Sequence, residues 1–389
     1  MQFGFTCGFS SSSAKWTLIL VFVVLMITTV LVVLISGPPD HYRLEQDEFL
    51  TLDRSRSIAE RGLWLNPETN HVPLLTKKPP LQYWITALFM KMGIPDIFSM
   101  HLVSILFFSG LLCFMLLLCE SLRPGDFKLK LMTLVLSLSS PAFVGLAVTG
   151  LLDTGHGFFL LVTVSSIYLS RRDSKWWYLA CLGWSLGFLQ KSPIALFVAV
   201  CLMIGLSFTI KQDGFKFSEL RRDRHFLWSW MVGAFICTAY IGLKLYQYGY
   251  ESIKEAFVHQ IIHRFIPAMP NDPERHRGWG FIFYHLIQDG IVYWTLSFLA
   301  LITFIFLKRK LLSGKEWLIL FYIALVFSVF VLSGGIIYFR YMTVLIPFIV
   351  IFVSIAITDV FRSSGKVQWI LAGIMFVSSF PVYQREWRE

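Results

Sequence analysis

Charge is scarce in this chain: only 15% of its 389 residues are Asp, Glu, Lys or Arg, while 56% are hydrophobic. A soluble domain carries roughly a quarter charged residues, and the apolar surplus here comes in long blocks. A soluble globular protein is therefore excluded. Cysteine is sparse as well. Of Cys7, Cys113, Cys119, Cys181, Cys201 and Cys237, five lie inside apolar runs and none forms a CxxC pair. That spacing offers neither a disulfide framework nor a cysteine metal site. No A-x-A cleavage site follows the first apolar block, Trp16 to Ile35, and the block is longer than a signal-peptide core. It reads as a retained membrane helix, since a span takes roughly 20 apolar residues. Internal repeats, low-complexity segments and nucleic-acid-binding signatures are missing too. The net charge of +10 therefore points to membrane topology and not to a nucleic-acid partner.

What is present is a series of apolar runs near 97–120, 131–150, 154–170, 176–189, 193–210, 226–243, 287–307, 317–333, 341–358 and 367–383, eleven with the first. The segment 79–93 contains Lys91, begins with Pro-Pro and is short, so it fits a helix lying along the interface. Charge asymmetry tests that choice. If 79–93 does not cross, the basic loops 121–130, 171–175, 211–224, 308–315 and 359–366 all fall on one face. Positive residues concentrate on the cytoplasmic side, so the N-terminus is expected inside and the C-terminus outside. The expected fold is all-α: a polytopic membrane protein of about 11 transmembrane helices, one domain over 1–389, with no soluble domain after the last span. Two long loops, 37–96 and 244–286, then face the outside, and loops of that length usually carry function.

This topology gathers polar residues at one face. Asp47, Glu48, Lys77 and Lys78 lie in the first outer loop, Asp153 at the outer end of a span and Lys191 between two others. His259, His263 and Arg264 lie in the second loop, and Arg340 heads the tenth span. Ionisable residues at membrane depth are costly and are functional candidates by default. Each also has a plain reading. Asp47-Glu48 can be a solvated acidic turn, and Lys77-Lys78 can snorkel to headgroups. Asp153 can form a structural ion pair with Lys191, and Arg340 can anchor its helix at the interface. His259 and His263, four apart without a third ligand, are a weak zinc signal, and headgroup contact suits them better. Pro79-Pro80 makes a stiff lead into the following helix and positions groups without reacting.

Three stretches together resemble a known family: Asp47-Glu48; Gly62-Leu63-Trp64-Leu65-Asn66-Pro67; and Lys78-Pro79-Pro80-Leu81-Gln82-Tyr83-Trp84. They look like the acidic pair, the G-x-W-x-x-P stretch and the KPPL-x-YW motif of the bacterial aminoarabinose and protein-mannosyltransferase-like glycosyltransferases. Those are membrane enzymes of the GT-C class that use polyprenyl-phosphate sugars. Ser140-Pro141 through Asp153 is similar to the family's second acidic site. Gly187 to Pro193 resembles its L-T-K-G segment, His263-Arg264-Phe265 its H-x-x-R-F stretch, and Arg340-Tyr341 with Pro347 its K/R-Y-x-x-P helix. The chain departs from the pattern at Thr51, where Tyr is common, at Lys77, where an acid is common, and at Gln190-Lys191-Ser192, which stands for T-K-G.

The resemblance implies a GT-C-like bundle in a bacterial inner membrane with a periplasmic active site. There, a sugar would pass from a polyprenyl-phosphate donor to a hydroxyl of a glycolipid, glycan or protein. The resemblance makes Asp47 the base, with Asp153 and Glu48 as further acidic groups. Lys78, Arg264, Arg340, Lys191 and Tyr83 would bind the donor phosphate and lipid. One displacement assisted by one carboxylate predicts inversion; a carboxylate nucleophile would predict retention. The scheme needs no metal or other cofactor. Two rival readings are a transporter or flippase of a lipid-linked solute and an O-antigen ligase or polymerase. The paired acid and base motifs of the outer loops and the absence of a helix repeat weigh against transport, and KPPL-x-YW weighs against the ligase.

Overall fold

The structure, a computed structural model, describes residues 46–69, 78–140, 143–145, 149–191, 220–257, 291–308, 319–326, 343–361 and 364–386. It adds isolated positions in 19–30 and 197–201, and Glu316. Ten helices run through the described residues: α1 (Gln46–Arg61), α2 (Leu81–Lys91), α3 (Asp96–Leu122), α4 (Phe127–Leu138), α5 (Leu152–Leu169), α6 (Trp176–Gln190), α7 (Arg224–Phe257), α8 (Ile291–Lys308), α9 (Ile346–Val360) and α10 (Gly365–Glu386).

Three of them, α3, α5 and α7, are long and apolar enough to cross a membrane. At 1.5 Å per residue, α3 is about 40 Å long, more than the hydrocarbon core. α5 is the central helix: 94% of its apolar window is buried inside the protein, against 22% for that of α7. It packs on α3 and α6, α6 packs on α7, and α9 packs on α8 and α4. One large apolar cluster joins these helices, from Leu20 and Val24 through Phe108, Leu160, Trp184 and Phe352.

Most expected spans coincide with helices, and the differences have local causes. The expected span 131–150 gives only α4, which starts one turn earlier, at Phe127, and ends at Leu138. Pro141 disfavours helical backbone at Ser140 just ahead of it. At the start of α4 the Asp126 carboxylate accepts the Leu129 N–H at 3.0 Å, an N-cap. The expected span 226–243 is longer than foreseen and runs to Phe257 across a break at Gly249 (φ 73°, ψ 178°), into what was expected to be loop. Most of 16–35 and 193–210, and all of 317–333 except the helical stretch 319–326, lie outside the described residues.

The segment expected to form the first outer loop contains two short helices. α1 was not foreseen as a helix. Its buried face, Glu48, Thr51, Leu52, Ser55 and Ile58, repeats every three to four residues and turns toward α2 and α3. Gly62 closes α1 in the left-handed region (φ 71°), its N–H returning to the Ile58 carbonyl at 3.0 Å. α2 spans eleven residues, about 16 Å and too short to cross a bilayer. It presents two apolar stripes. Leu81, Ile85 and Phe89 pack on Val103, Phe107 and Phe159, whereas Tyr83 and Ala87 pack on Ile58 and Leu152. Full burial of a side chain such as Ile58 is worth about 1.5–3 kcal/mol where it leaves water, so these stripes dock the outer helices onto α3 and α5. The Trp64 carbonyl accepts the Trp84 Nε1–H at 2.5 Å, tying the G-x-W-x-x-P stretch to KPPL-x-YW.

At the far end of α3, charges tie together residues far apart in sequence. Arg123 donates through Nε to Glu316 and through both terminal nitrogens to Asp359, each at 2.7 Å. Burial opposes the charge on Arg123, but the bonds to Asp359 and Glu316 outweigh it and hold its pKa above the ordinary arginine value. Beside it, the buried Lys130 ammonium pairs with Glu120 at 2.6 Å.

Candidate active site

The other end of the bundle holds the groups expected to carry chemistry. Asp47 and Glu48 occupy the first turn of α1, where a helix favours carboxylates. Neighbouring helical residues point about 100° apart, and these two diverge accordingly. The Asp47 carboxylate stands 3.6 Å from Lys78 Nζ, both side chains about one-fifth exposed (20% and 21%). Lys78 immediately precedes Pro79-Pro80, and Pro80 caps α2, so its backbone is stiffly placed. Glu48 turns inward: it is 5% exposed, and its Oε1 accepts the Gly150 N–H at 2.7 Å.

A second acid–base pair follows in sequence from Gly150, the residue that Glu48 contacts. Asp153 sits in the first turn of α5 and is 6% exposed. Lys191, one residue past the end of α6, forms a hydrogen-bonded ion pair with it. The plain reading of Asp153, an ion pair with Lys191, is thus what the geometry contains, three residues along the chain from the Gly150 held by Glu48. His156, one turn further along α5, is buried, hydrogen-bonds the Gly187 backbone and feels the charges of both Lys191 and Asp153.

Tyr83, expected among the donor-binding groups, is 1% exposed and packs in the small outer core. Its hydroxyl accepts from Arg54 NH1 at 3.0 Å. The Arg54 Nε–H is directed at Thr69 Oγ1 (3.3 Å). Lys77, His259, His263, Arg264, Arg340 and Tyr341 lie outside the described residues. Among the described residues, no three His, Cys, Asp or Glu side chains gather as metal ligands.

Two buried glutamines were missed in the sequence. Gln190 Nε2 donates to Gln82 Oε1 at 2.6 Å and to the Leu152 carbonyl at 3.1 Å, and Gln82 Nε2 donates to the Gly150 carbonyl at 3.1 Å. The available signal was slight: one amide among apolar neighbours in α2, and one next to Lys191.

Residues 77–241, less than half of the chain, match the family model for dolichyl-phosphate-mannose-protein mannosyltransferase. In three dimensions the chain is similar to ArnT from Cupriavidus metallidurans bound to undecaprenyl phosphate. The TM-score is 0.71 at 16% identity, covering 92% of this chain and 62% of that one. The apo state of the same protein gives 0.62 at 15% identity, covering 92% and 63%. The apo oligosaccharyltransferase of Archaeoglobus fulgidus gives 0.56 at 12% identity, covering 95% and 55%. At such identities the likeness is one of fold, and this chain spans a little under two thirds of the length of ArnT. No curated protein sequence matches it. The GT-C resemblance read from the motifs is borne out by the family segment and the fold together.

Proposed function

From a GT-C-type fold and a mannosyltransferase-family segment that begins at Lys77, we propose that this chain transfers a sugar from a polyprenyl-phosphate donor to an acceptor hydroxyl. The observation that carries the reading is the Asp47–Lys78 pair, 3.6 Å apart and partly exposed. A base and a phosphate-binding cation stand side by side there. A donor phosphate entering the pair competes for the Lys78 ammonium and takes its charge. Fixed positive charge on the departing phosphate stabilises the transition state, so no general acid is needed at the leaving group. Asp47, released from its counter-ion, accepts the proton of the acceptor hydroxyl as that oxygen attacks the anomeric carbon. The C–O bond to phosphate breaks as the new C–O bond forms, which inverts the anomeric centre. Asp153 and Lys191 orient the sugar or acceptor from the neighbouring face. Arg264 and Arg340 add positive charge for the donor.

In this reading the N-terminus is cytoplasmic and the site opens on the periplasmic side of a bacterial inner membrane. The undecaprenyl phosphate of the ArnT crystal structure suggests the carrier. Purified protein in lipid nanodiscs, given polyprenyl-phosphate sugars with glycolipid, glycan and peptide acceptors, tests the proposal by mass spectrometry. A glycosylated acceptor with free polyprenyl phosphate is the expected result. A donor that crosses a vesicle bilayer with its sugar still attached would replace transfer with transport.

A further inference from the structure

Gln82 and Gln190 take no part in the reaction just described, and the family pattern gives them no role. Gln82 falls at the variable position of KPPL-x-YW, and Gln190 stands where the pattern has Thr. Both are nonetheless fully buried at 0% exposure. Backbone carbonyls only accept, so the bonds to Leu152 and Gly150 fix the orientation of both amides. The chain of donation runs one way, from Gln190 through Gln82 to the Gly150 carbonyl. Glu48 closes it by accepting the N–H of the same Gly150.

Three side chains, from α1, α2 and α6, thus grip residues 150–152 immediately ahead of Asp153. The partner of Asp153, Lys191, follows Gln190 directly in the chain. Gly155 makes room for this grip, since a Cβ there would run into the Gln190 amide. The grip has a cost: Gln190 Oε1 has no hydrogen-bond partner among the described residues. A buried acceptor left unpaired is destabilising, so stability alone gives no reason for this arrangement.

We propose that Gln82, Gln190 and Glu48 are positioning residues, a buried bracket that sets the Asp153–Lys191 pair against the Asp47–Lys78 pair. The inference rests on the glycosyl-transfer reading, because it assigns both pairs to one reaction. Its force comes from geometry: displacing a reacting group by about 1 Å can cost on the order of 100-fold in rate.

Gln190→Met keeps the volume and removes both N–H donors. In the full-length protein it lowers kcat roughly 10- to 100-fold while donor KM moves less than about twofold. Residues that act through one another are non-additive, so the same change made on top of Asp153→Asn costs little more. An unchanged kcat in Gln190→Met, or a full multiplicative loss in the double variant, overturns the proposal. Gln82→Met shows the same pattern and serves if Gln190→Met does not fold. Hydrogen exchange reads the bracket without any activity: amides 150–153 exchange faster in Gln190→Met while α3 keeps its protection. Unchanged exchange there overturns the bracket. Faster exchange in a protein whose wild type transfers no sugar leaves the bracket standing and removes the glycosyl-transfer reading.

Discussion

At the far end of α3, Arg123 spends three N–H groups on two carboxylates, each bond at 2.7 Å. At the near end, Asp47 and Lys78 stand 3.6 Å apart, outside hydrogen-bond range. Arg123 is 21% exposed, no more buried than Asp47 and Lys78, although its partner Glu316 is only 2% exposed, so burial of the cation does not separate the two sets. Geometry does. The Arg123 cluster is closed: its fork meets Asp359 with both terminal nitrogens and ties the end of α3 to the end of α9. The Asp47–Lys78 pair is looser, two opposite charges held 3.6 Å apart. A tightly bonded cluster serves folding, because each charge is held by its partner; the looser near-end pair is the one a phosphate separates in the proposed reaction.

Substitutions at the two ends therefore have different consequences. The largest effect is expected from Asp47→Asn, which keeps shape and removes the base. Transfer falls by roughly 100- to 10,000-fold, the range for losing general-base catalysis, and thermal unfolding in detergent stays at the wild-type temperature. Turnover within tenfold of wild type would assign the base elsewhere. Next comes Arg123→Gln, which strands Glu316 and Asp359. Removing one partner of a buried pair costs about 3–5 kcal/mol, so the protein unfolds at lower temperature, while the folded fraction keeps the wild-type kcat. A kcat loss per folded molecule would mean that the far end contributes to catalysis after all. Lys78→Ala follows, with transfer reduced on the order of 100-fold, the scale for removing one preorganised donor to developing negative charge. Its donor affinity also drops, measurable by polyprenyl-phosphate binding. The smallest effect is expected from Lys128→Ala: this lysine is exposed beside Arg123, and replacing it shifts stability by no more than about 0.5 kcal/mol, measurable by thermal unfolding.

Much of this plan could be read from residue order. Apolar runs located α3, α5, α6, α8, α9 and α10 to within a few residues, because the length needed to cross a bilayer is a strong constraint. The short Pro-led segment at 79–93 gave α2, and the motifs pointed to Asp47, Lys78, Asp153 and Lys191 at one end. Sequence did not show how adjacent carboxylates divide. Asp47 and Glu48 are equivalent as letters, and only the helical turn of α1 sends one toward Lys78 and the other to Gly150. Nor did it show the glutamine bracket. A hydrogen bond between residues 82 and 190 depends on how α2 and α6 approach each other, and no local pattern records that. Nor did the motif that marked Tyr83 show that its ring completes a small core with Ile58 and that its hydroxyl meets Arg54.

The difference between the two ends is a claim about sides as well as geometry. Single cysteines at positions 47 and 128, labelled in intact cells with a membrane-impermeant maleimide, test it directly. The account predicts labelling at 47 in intact cells, blocked by added polyprenyl phosphate, and labelling at 128 only after the membrane is opened. Equal labelling of both from one side would contradict it.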